Sequence, residues 1–263
     1  MPYIQSNGIN ICYEISGNGY PLLIISGTGA DLRIPRERIT AIDKNFAVLR
    51  YDQRGLGRTE APAPPYSMED YGNDAAALLS ALDITRTNVI GISFGGMVAQ
   101  HLTLKHPNLV NKLVLACTSP GGPEYSSFDL RTVLQQPVAR QAGYWLQLLD
   151  SRYENKNPNL PIIKAVEELI TAGKRVFPNN LTVGLMNQLE ARSTHDVIAL
   201  LPNLDHPTLI VGGYHDRVAP EQNLQKLHDL IPNSDIELFN GGHLFMLQDT
   251  TAWPRIASFL LED

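Results

Sequence analysis

Val89-Ile90-Gly91-Ile92-Ser93-Phe94-Gly95-Gly96 is the stretch whose reading decides the fold. Its first four residues form a short, nearly continuous apolar run, the pattern of a strand buried on both faces. From Phe94 to His106 apolar residues recur at helical spacing, and Pro107 stops the run. A strand that becomes a helix this abruptly needs a sharp turn. Side chains two places before and after Ser93 would collide across that turn, so Gly91 and Gly95 stand there, and the turn lifts the serine oxygen above the sheet. The following helix aims free N–H groups and the positive end of its dipole at the same point, where negative charge on a substrate oxygen is favoured. A Gly-rich turn that merely allows close packing would carry the same string, so Ser93 needs partners elsewhere.

Outward from this turn the same rhythm repeats. Upstream, Ile9, Ile11, Tyr13 and Ile15 alternate with polar or neutral residues after an Asn7-Gly8 turn, as one strand of an antiparallel hairpin does. Apolar runs follow at Leu22–Ile25 and Phe46–Leu49, then a helical pattern over Ser67–Leu82. Downstream, runs at Leu113–Cys117, Thr208–Val211 and Asp235–Phe239 alternate with helical patterns over Pro220–Leu230 and Thr251–Leu261. Strand–helix alternation after an initial hairpin predicts an α/β fold, a mostly parallel central sheet flanked by helices.

The rhythm breaks between Pro120 and about Leu204. Apolar residues there take helical spacing at Val138, Ala142, Trp145, Leu146 and Leu149, again at Ile163, Val166, Leu169 and Ile170, and a third time from about Leu181 to Leu189. The expected organisation is therefore a core in two parts, 1–119 and 205–263, with a helical cap at 120–204.

Composition narrows the class. The chain has 263 residues, a net charge of −6 and no Lys/Arg cluster, which argues against nucleic acid or anionic lipid as the main partner. No apolar run approaches the ~18 residues of a membrane span. The first residues, Met1-Pro2-Tyr3-Ile4-Gln5-Ser6, show neither a basic start nor an apolar stretch, so no secretory signal is expected. Two cysteines, Cys12 and Cys117, are too few for a disulfide framework and read as packing residues; a cytoplasmic address is expected.

A serine nucleophile needs a base, and the base needs an orienting acid. Of seven histidines, His101 and His106 fall on the helix after the turn and read as structural, while His195, His206 and His228 read as surface residues. His243 differs. It follows the last apolar run on Asn240-Gly241-Gly242, and such a flexible approach costs entropy unless the imidazole must be placed there. The acid should leave a neighbouring strand, and Asp216 does so in Gly212-Gly213-Tyr214-His215-Asp216. Asp216 could instead be a simple helix cap before Pro220, with Glu124 or Asp129 at the entrance of the insertion as poor substitute acids. His215 has no second His or Cys spaced to complete a metal site.

The order Ser93, Asp216, His243 resembles that of the α/β-hydrolase superfamily, and the likeness covers most of the chain. Ser26-Gly27-Thr28-Gly29 stands where that family usually has His-Gly-x-Gly, and Tyr51-Asp52-Gln53-Arg54-Gly55-Leu56-Gly57-Arg58-Thr59 matches a second family segment. Among subgroups it looks most like small bacterial esterases, enol-lactonases and cofactor-free haloperoxidase-type perhydrolases. The resemblance implies an α/β-hydrolase fold, a helical cap, and an oxyanion hole formed by the N–H groups of Thr28 and Phe94. Asp52 and Arg54 read as a brace for their loop. The activity implied is hydrolysis of a small or medium carboxylic ester or lactone through an acyl-enzyme on Ser93, with no metal or organic cofactor. Perhydrolysis, C–C bond hydrolysis and a receptor with vestigial chemistry are the alternatives. A dehalogenase is disfavoured because the turn carries Ser93 and no carboxylate. Trp145, Met186 and Phe245 are the candidate substrate contacts, with Phe94 beside Phe245 on the pocket floor. Apolar walls would favour a neutral acyl group.

Overall fold

Successive residues of the central strands are buried on opposite faces, and this alternation builds the molecule in layers. The computed structural model describes residues 1–33, 40–155 and 182–262. Its strands are β1 (Tyr3–Ser6), β2 (Ile9–Ser16), β3 (Tyr20–Ile25), β4 (Phe46–Tyr51), β5 (Thr87–Ile92), β6 (Val110–Ala116), β7 (Thr208–Gly213) and β8 (Ser234–Phe239). The described helices are α1 (Thr40–Asp43), α2 (Met68–Ala81), α3 (Phe94–Lys105), α4 (Gly122–Tyr125), α5 (Arg131–Gln135), α6 (Val138–Leu149), α7 (Val183–Ser193), α8 (Glu221–Leu230), α9 (Phe245–Gln248) and α10 (Ala252–Leu261).

The eight strands form one sheet in the order β1-β2-β4-β3-β5-β6-β7-β8. β2 runs antiparallel to both β1 and β4, and every later pairing is parallel. Asn7 and Gly8 both adopt positive φ, 48° and 77°, as a two-residue hairpin turn between β1 and β2 requires. On one face Leu23 and Ile25 of β3 join Val89, Leu113, Leu115 and Ile210, covered by Leu78, Leu79, Val98, Leu102, Leu224 and Leu227. On the other, Leu22 and Ile24 join Phe46, Val48, Ile90, Val114 and Val211, covered by Ile256, Phe259 and Leu260. Each such side chain, fully buried, stabilises the fold by about 1.5–3 kcal/mol.

The expected helices form with small shifts at their ends. Ser67, read as the first residue of a helix, is its cap: its side chain accepts from Asp70 N–H, and Asp70 answers by accepting from Ser67 N–H. The one-turn helices α1, α4 and α9 were not legible, because a single turn leaves no period to read. Between β6 and β7 the described residues carry α4 to α7 and no strand of the sheet. Their apolar sides meet in a cluster of Leu130, Val133, Leu148, Leu185 and Leu189, which also takes in Leu56 and Val218 from sheet-edge loops. The helix expected around Ile163–Ile170 lies outside the described residues. Among the described residues no helix is long and apolar enough to cross a membrane.

One buried ion pair ties the loop after β4 to α2. Arg54 Nε and Nη2 donate to the two carboxylate oxygens of Asp74, each at 2.7 Å, and Asn7 Nδ2 donates to Oδ1. The guanidinium lies 5.3 Å from the Tyr66 ring centroid and 5.8 Å from that of Tyr71. Removing one member would leave the other charged and buried. Arg54→Met is therefore expected to cost about 3–5 kcal/mol in urea unfolding, with much of that recovered by adding Asp74→Leu. An Arg54→Met loss below about 1 kcal/mol would contradict the brace.

Candidate active site

The chain passes from β3 outward to β4, then crosses to the other side of β3 to form β5. The loops leaving the carboxyl ends of β3 and β5 therefore diverge and leave a crevice between them. Ser26-Gly27-Thr28-Gly29 leaves β3 and Ser93 leaves β5.

Ser93 adopts φ 55° and ψ −116°, a backbone state that costs an L-residue on the order of 1–3 kcal/mol. Its N–H donates to Ala116 O at 2.8 Å, and Thr118 Oγ1 donates to its carbonyl at 2.7 Å. A Cβ on Gly95 would lie 2.0 Å from Ile25 O, so α3 can start this close to β3 only with glycine there.

The structure brings Ser93, His243 and Asp216 together, all three buried. His243 Nδ1 lies 2.7 Å from Asp216 Oδ2, and Nε2 lies 3.0 Å from Ser93 Oγ. An ionised carboxylate only accepts, so the ring proton sits on Nδ1, and in the neutral ring Nε2 offers its lone pair to the serine hydroxyl. Asp216 is not the cap of α8, whose start takes no side-chain hydrogen bond; Oδ1 accepts the N–H groups of Val218 and Ala219 within its own loop, at 2.7 and 3.0 Å, while Oδ2 faces the imidazole.

Both loops are held by the end of α6. Leu148 O accepts from Arg217 N, Leu149 O accepts from His243 N at 2.6 Å, and Ser151 N donates to His215 O. A Cβ on Gly242 would lie 1.9 Å from Leu149 O, which explains the glycine before the histidine.

The loop after β3 lies alongside Ser93: a Cβ on Gly27 would be 4.0 Å from Ser93 Oγ. Gln53 Nε2 donates to Ser26 O at 2.8 Å, bracing the position where the family usually has histidine. Asp52 holds Leu32 N–H and Arg58 N–H on its two oxygens, and burial pushes its carboxyl up from the ordinary value. Within the described residues no protein acceptor takes the N–H of Thr28, or that of Phe94, the first residue of α3.

Four residues sit differently from expectation. Phe245 is fully enclosed and stacks on Phe239 with centroids 5.4 Å apart, so it presents no surface to a substrate. Phe94 likewise packs its ring edge-on against Tyr71 beneath the turn, leaving only its backbone in place for the site. Met186 is exposed on the outer side of α7. His195, expected at the surface, is buried: Nε2 meets Ser119 O at 3.2 Å and Nδ1 meets His101 Nε2 at 3.3 Å. Trp145 is half-buried and packs against the cluster of α5, α6 and α7.

Two residues that the sequence reading passed over stand against the Gly27–Gly29 loop. Gln188 Oε1 accepts from Gly29 N at 2.8 Å, and Arg192 Nη1 reaches Thr28 Oγ1 at 3.4 Å. Burial lowers the Arg192 guanidinium to about 10. Their signal was present: they fall four residues apart, one turn each, beside the apolar Leu185 and Leu189.

Strand order, the turn at Ser93 and the loops carrying Asp216 and His243 together define the α/β-hydrolase class. The chain belongs to the alpha/beta hydrolase fold family, whose model matches residues 20–250, and it is an enzyme of that kind. It is 29% identical over 249 residues to a poly(3-hydroxyalkanoate) depolymerase of Ectopseudomonas oleovorans, spanning 92% of this chain and 85% of that protein. It is 26% identical over 239 residues to 3-oxoadipate enol-lactonase 2 of Acinetobacter baylyi, spanning 89% and 85%. The crystal structure of the enol-lactonase from Burkholderia xenovorans LB400 superposes with a TM-score of 0.81 at 25% identity, covering 99% of this chain and all of that one.

The buried histidine pair sets an acid limit on stability. Burial lowers His101 from 6.5 to about 4, and burial together with His101 and Arg192 lowers His195 to about 3. In the unfolded chain both take up protons near pH ~6.5. Between that pH and about 4 the unfolded state binds more protons than the native one, so stability falls as pH is lowered through the window. Thermal melts from pH 7.5 to 4.5 are expected to show this fall. His101→Gln, which can still donate to His195, should make it shallower; an unchanged slope would contradict the assignment.

Proposed function

We propose that the protein is a serine hydrolase that cleaves a small or medium carboxylic ester or lactone through an acyl-enzyme on Ser93. The observation that carries this reading is the continuous line from Asp216 through His243 to Ser93 at the mouth of the crevice. In this scheme His243 takes the Ser93 proton as Oγ bonds to the acyl carbon. The imidazolium then gives that proton to the departing alkoxide as the C–O bond breaks. A water deprotonated by the same ring releases the acid and restores Ser93. Asp216 holds the tautomer and steadies the imidazolium. The N–H groups of Thr28 and Phe94 take the oxyanion, each such donor worth ~3 kcal/mol in the transition state. The scheme uses no metal and no organic cofactor.

The similarity to proteins named as an enol-lactonase and a poly(3-hydroxyalkanoate) depolymerase supports the ester or lactone class. Residues 120–204 act as a cap over the core of 1–119 and 205–263, and limit acyl length through the cluster that includes Trp145. The reading includes a cytoplasmic address, supported by two buried, unpaired thiols.

Ser93→Ala and His243→Ala are each expected to lower kcat on p-nitrophenyl acetate by about 10⁴–10⁶-fold, with the double variant little worse, because the groups act as a unit. Asp216→Asn should remain folded and lose most activity. A fluorophosphonate probe should label Ser93 in the wild type. Absence of labelling, or an active Ser93→Ala, would refute the proposal.

A further inference from the structure

We propose that Gln188 and Arg192 form a subsite for a carboxylate carried by the substrate, beside the Gly27–Gly29 loop. The inference deepens the ester or lactone hydrolase reading and rests on it for the reacting end of the substrate.

Gln188 and Arg192 lie on successive turns of one face of α7, the face that also buries Leu185 and Leu189. Gln188 is fully buried. Because Oε1 must face Gly29 N–H to accept from it, the amide orientation is fixed and Nε2 carries the free protons. Among the described residues that Nε2 has no hydrogen-bond partner. A buried donor left idle is costly, and such groups mark places where a partner is missing.

Arg192, four residues on, is 6% exposed. Among the described residues its guanidinium donates only to neutral oxygens: Thr28 Oγ1 at a long 3.4 Å, Ser127 Oγ, and Phe128 O at 3.3 Å. Among the described residues no carboxylate lies within ion-pair distance of it. Asp129 attracts it from further off, yet Arg131 Nε holds both Asp129 oxygens, at 2.9 and 3.1 Å, and Arg131 adds a like charge. Glu190, the acid nearest in sequence, pairs with Arg131 as well. The contrast with Arg54 is direct, since that buried guanidinium has both oxygens of Asp74.

An arginine keeps its charge even when buried, and an uncompensated buried charge is among the least favourable arrangements a fold can hold. A planar carboxylate seated between the guanidinium and the Gln188 amide would satisfy both at once. The position suits a substrate group: Thr28, which Arg192 touches, follows Gly27, whose Cβ position lies 4.0 Å from Ser93 Oγ. The anion therefore belongs to a short acyl chain whose carbonyl sits at Ser93. This replaces the neutral acyl group that the apolar residues of the insertion led the sequence reading to expect.

The test compares p-nitrophenyl hexanoate with mono-p-nitrophenyl adipate, which have equal acyl length and differ by a terminal carboxylate. The wild type is expected to show kcat/KM at least 10-fold higher for the adipate ester, mainly through KM. In Arg192→Met the ratio of the two should fall to about 1 or below. Gln188→Glu keeps an acceptor for Gly29 and supplies a carboxylate beside Arg192 from the protein itself; it should fold and lose the preference too. A wild-type ratio of 1 or less, or a ratio unchanged in both variants, overturns the inference while leaving the hydrolase reading intact. Calorimetric titration with adipate and with its neutral diamide decides the inference without turnover. Wild type should bind adipate at least 10-fold more tightly than the diamide, and equal binding overturns it. If neither ester is hydrolysed and Ser93 resists the fluorophosphonate probe, the hydrolase reading fails, and the titration still decides the anion site.

Discussion

A single residue held in a backbone state that L-amino acids resist organises this molecule. At Ser93 the chain leaves β5 and enters α3 with positive φ, so the helix begins against the sheet with no loop to separate them. Glycine at 91, 95 and 96 follows, because a methyl group at any of them would overlap backbone or Thr118. Close approach in turn makes α3 buried on nearly every side, and so apolar along most of its length. A helix so placed has to be enclosed by α2 on one side and the sheet on the other. The local strain is offset by the packing it enforces, with Ala116 and Thr118 fixing the turn from β6.

The two buried arginines show how differently one fold treats the same charge. Arg54 has a full bidentate partner and two aromatic faces, and acts as a joint between a loop and a helix. Arg192 has hydroxyls and a carbonyl. A structural role accounts for the first arrangement in full, whereas the second leaves a charge without a carboxylate partner among the described residues, beside the loop that flanks Ser93.

Central strands were legible because burial on both faces demands uninterrupted apolar runs, and few other structures tolerate them. Ser93, Asp216 and His243 were legible as candidates because each sits just past such a run, next to glycines that only a tight approach explains. What could not be read was burial decided by distant partners. His195 reads as a polar residue near a helix end until His101 and Ser119 are found around it. Phe245, sequence neighbour of the histidine loop, turns beneath the sheet because Phe239 offers it a stacked partner. Gln188 and Arg192 look like solvent-facing residues of α7 unless one knows that the Gly27–Gly29 loop lies across that face. Edge strand β1, with Tyr3 mostly exposed, has too little apolar pattern to betray its ends.

The carbonyls of Leu148 and Leu149 and the amide of Ser151 hold both the loop of Asp216 and the loop of His243. These three residues lie in the insertion between β6 and β7, so this segment also sets the height and tilt of the His243 imidazole. The insertion and the loops of Asp216 and His243 are therefore one mechanical unit. Exchanging the insertion between relatives would carry the placement of Asp216 and His243 along with its shape, and a junction placed within 148–151 would break the register of both loops. Natural drift in this segment should accordingly be slow at 148–151 and fast on the outward faces of the same helices, which are free to diversify only around a fixed hinge of backbone hydrogen bonds.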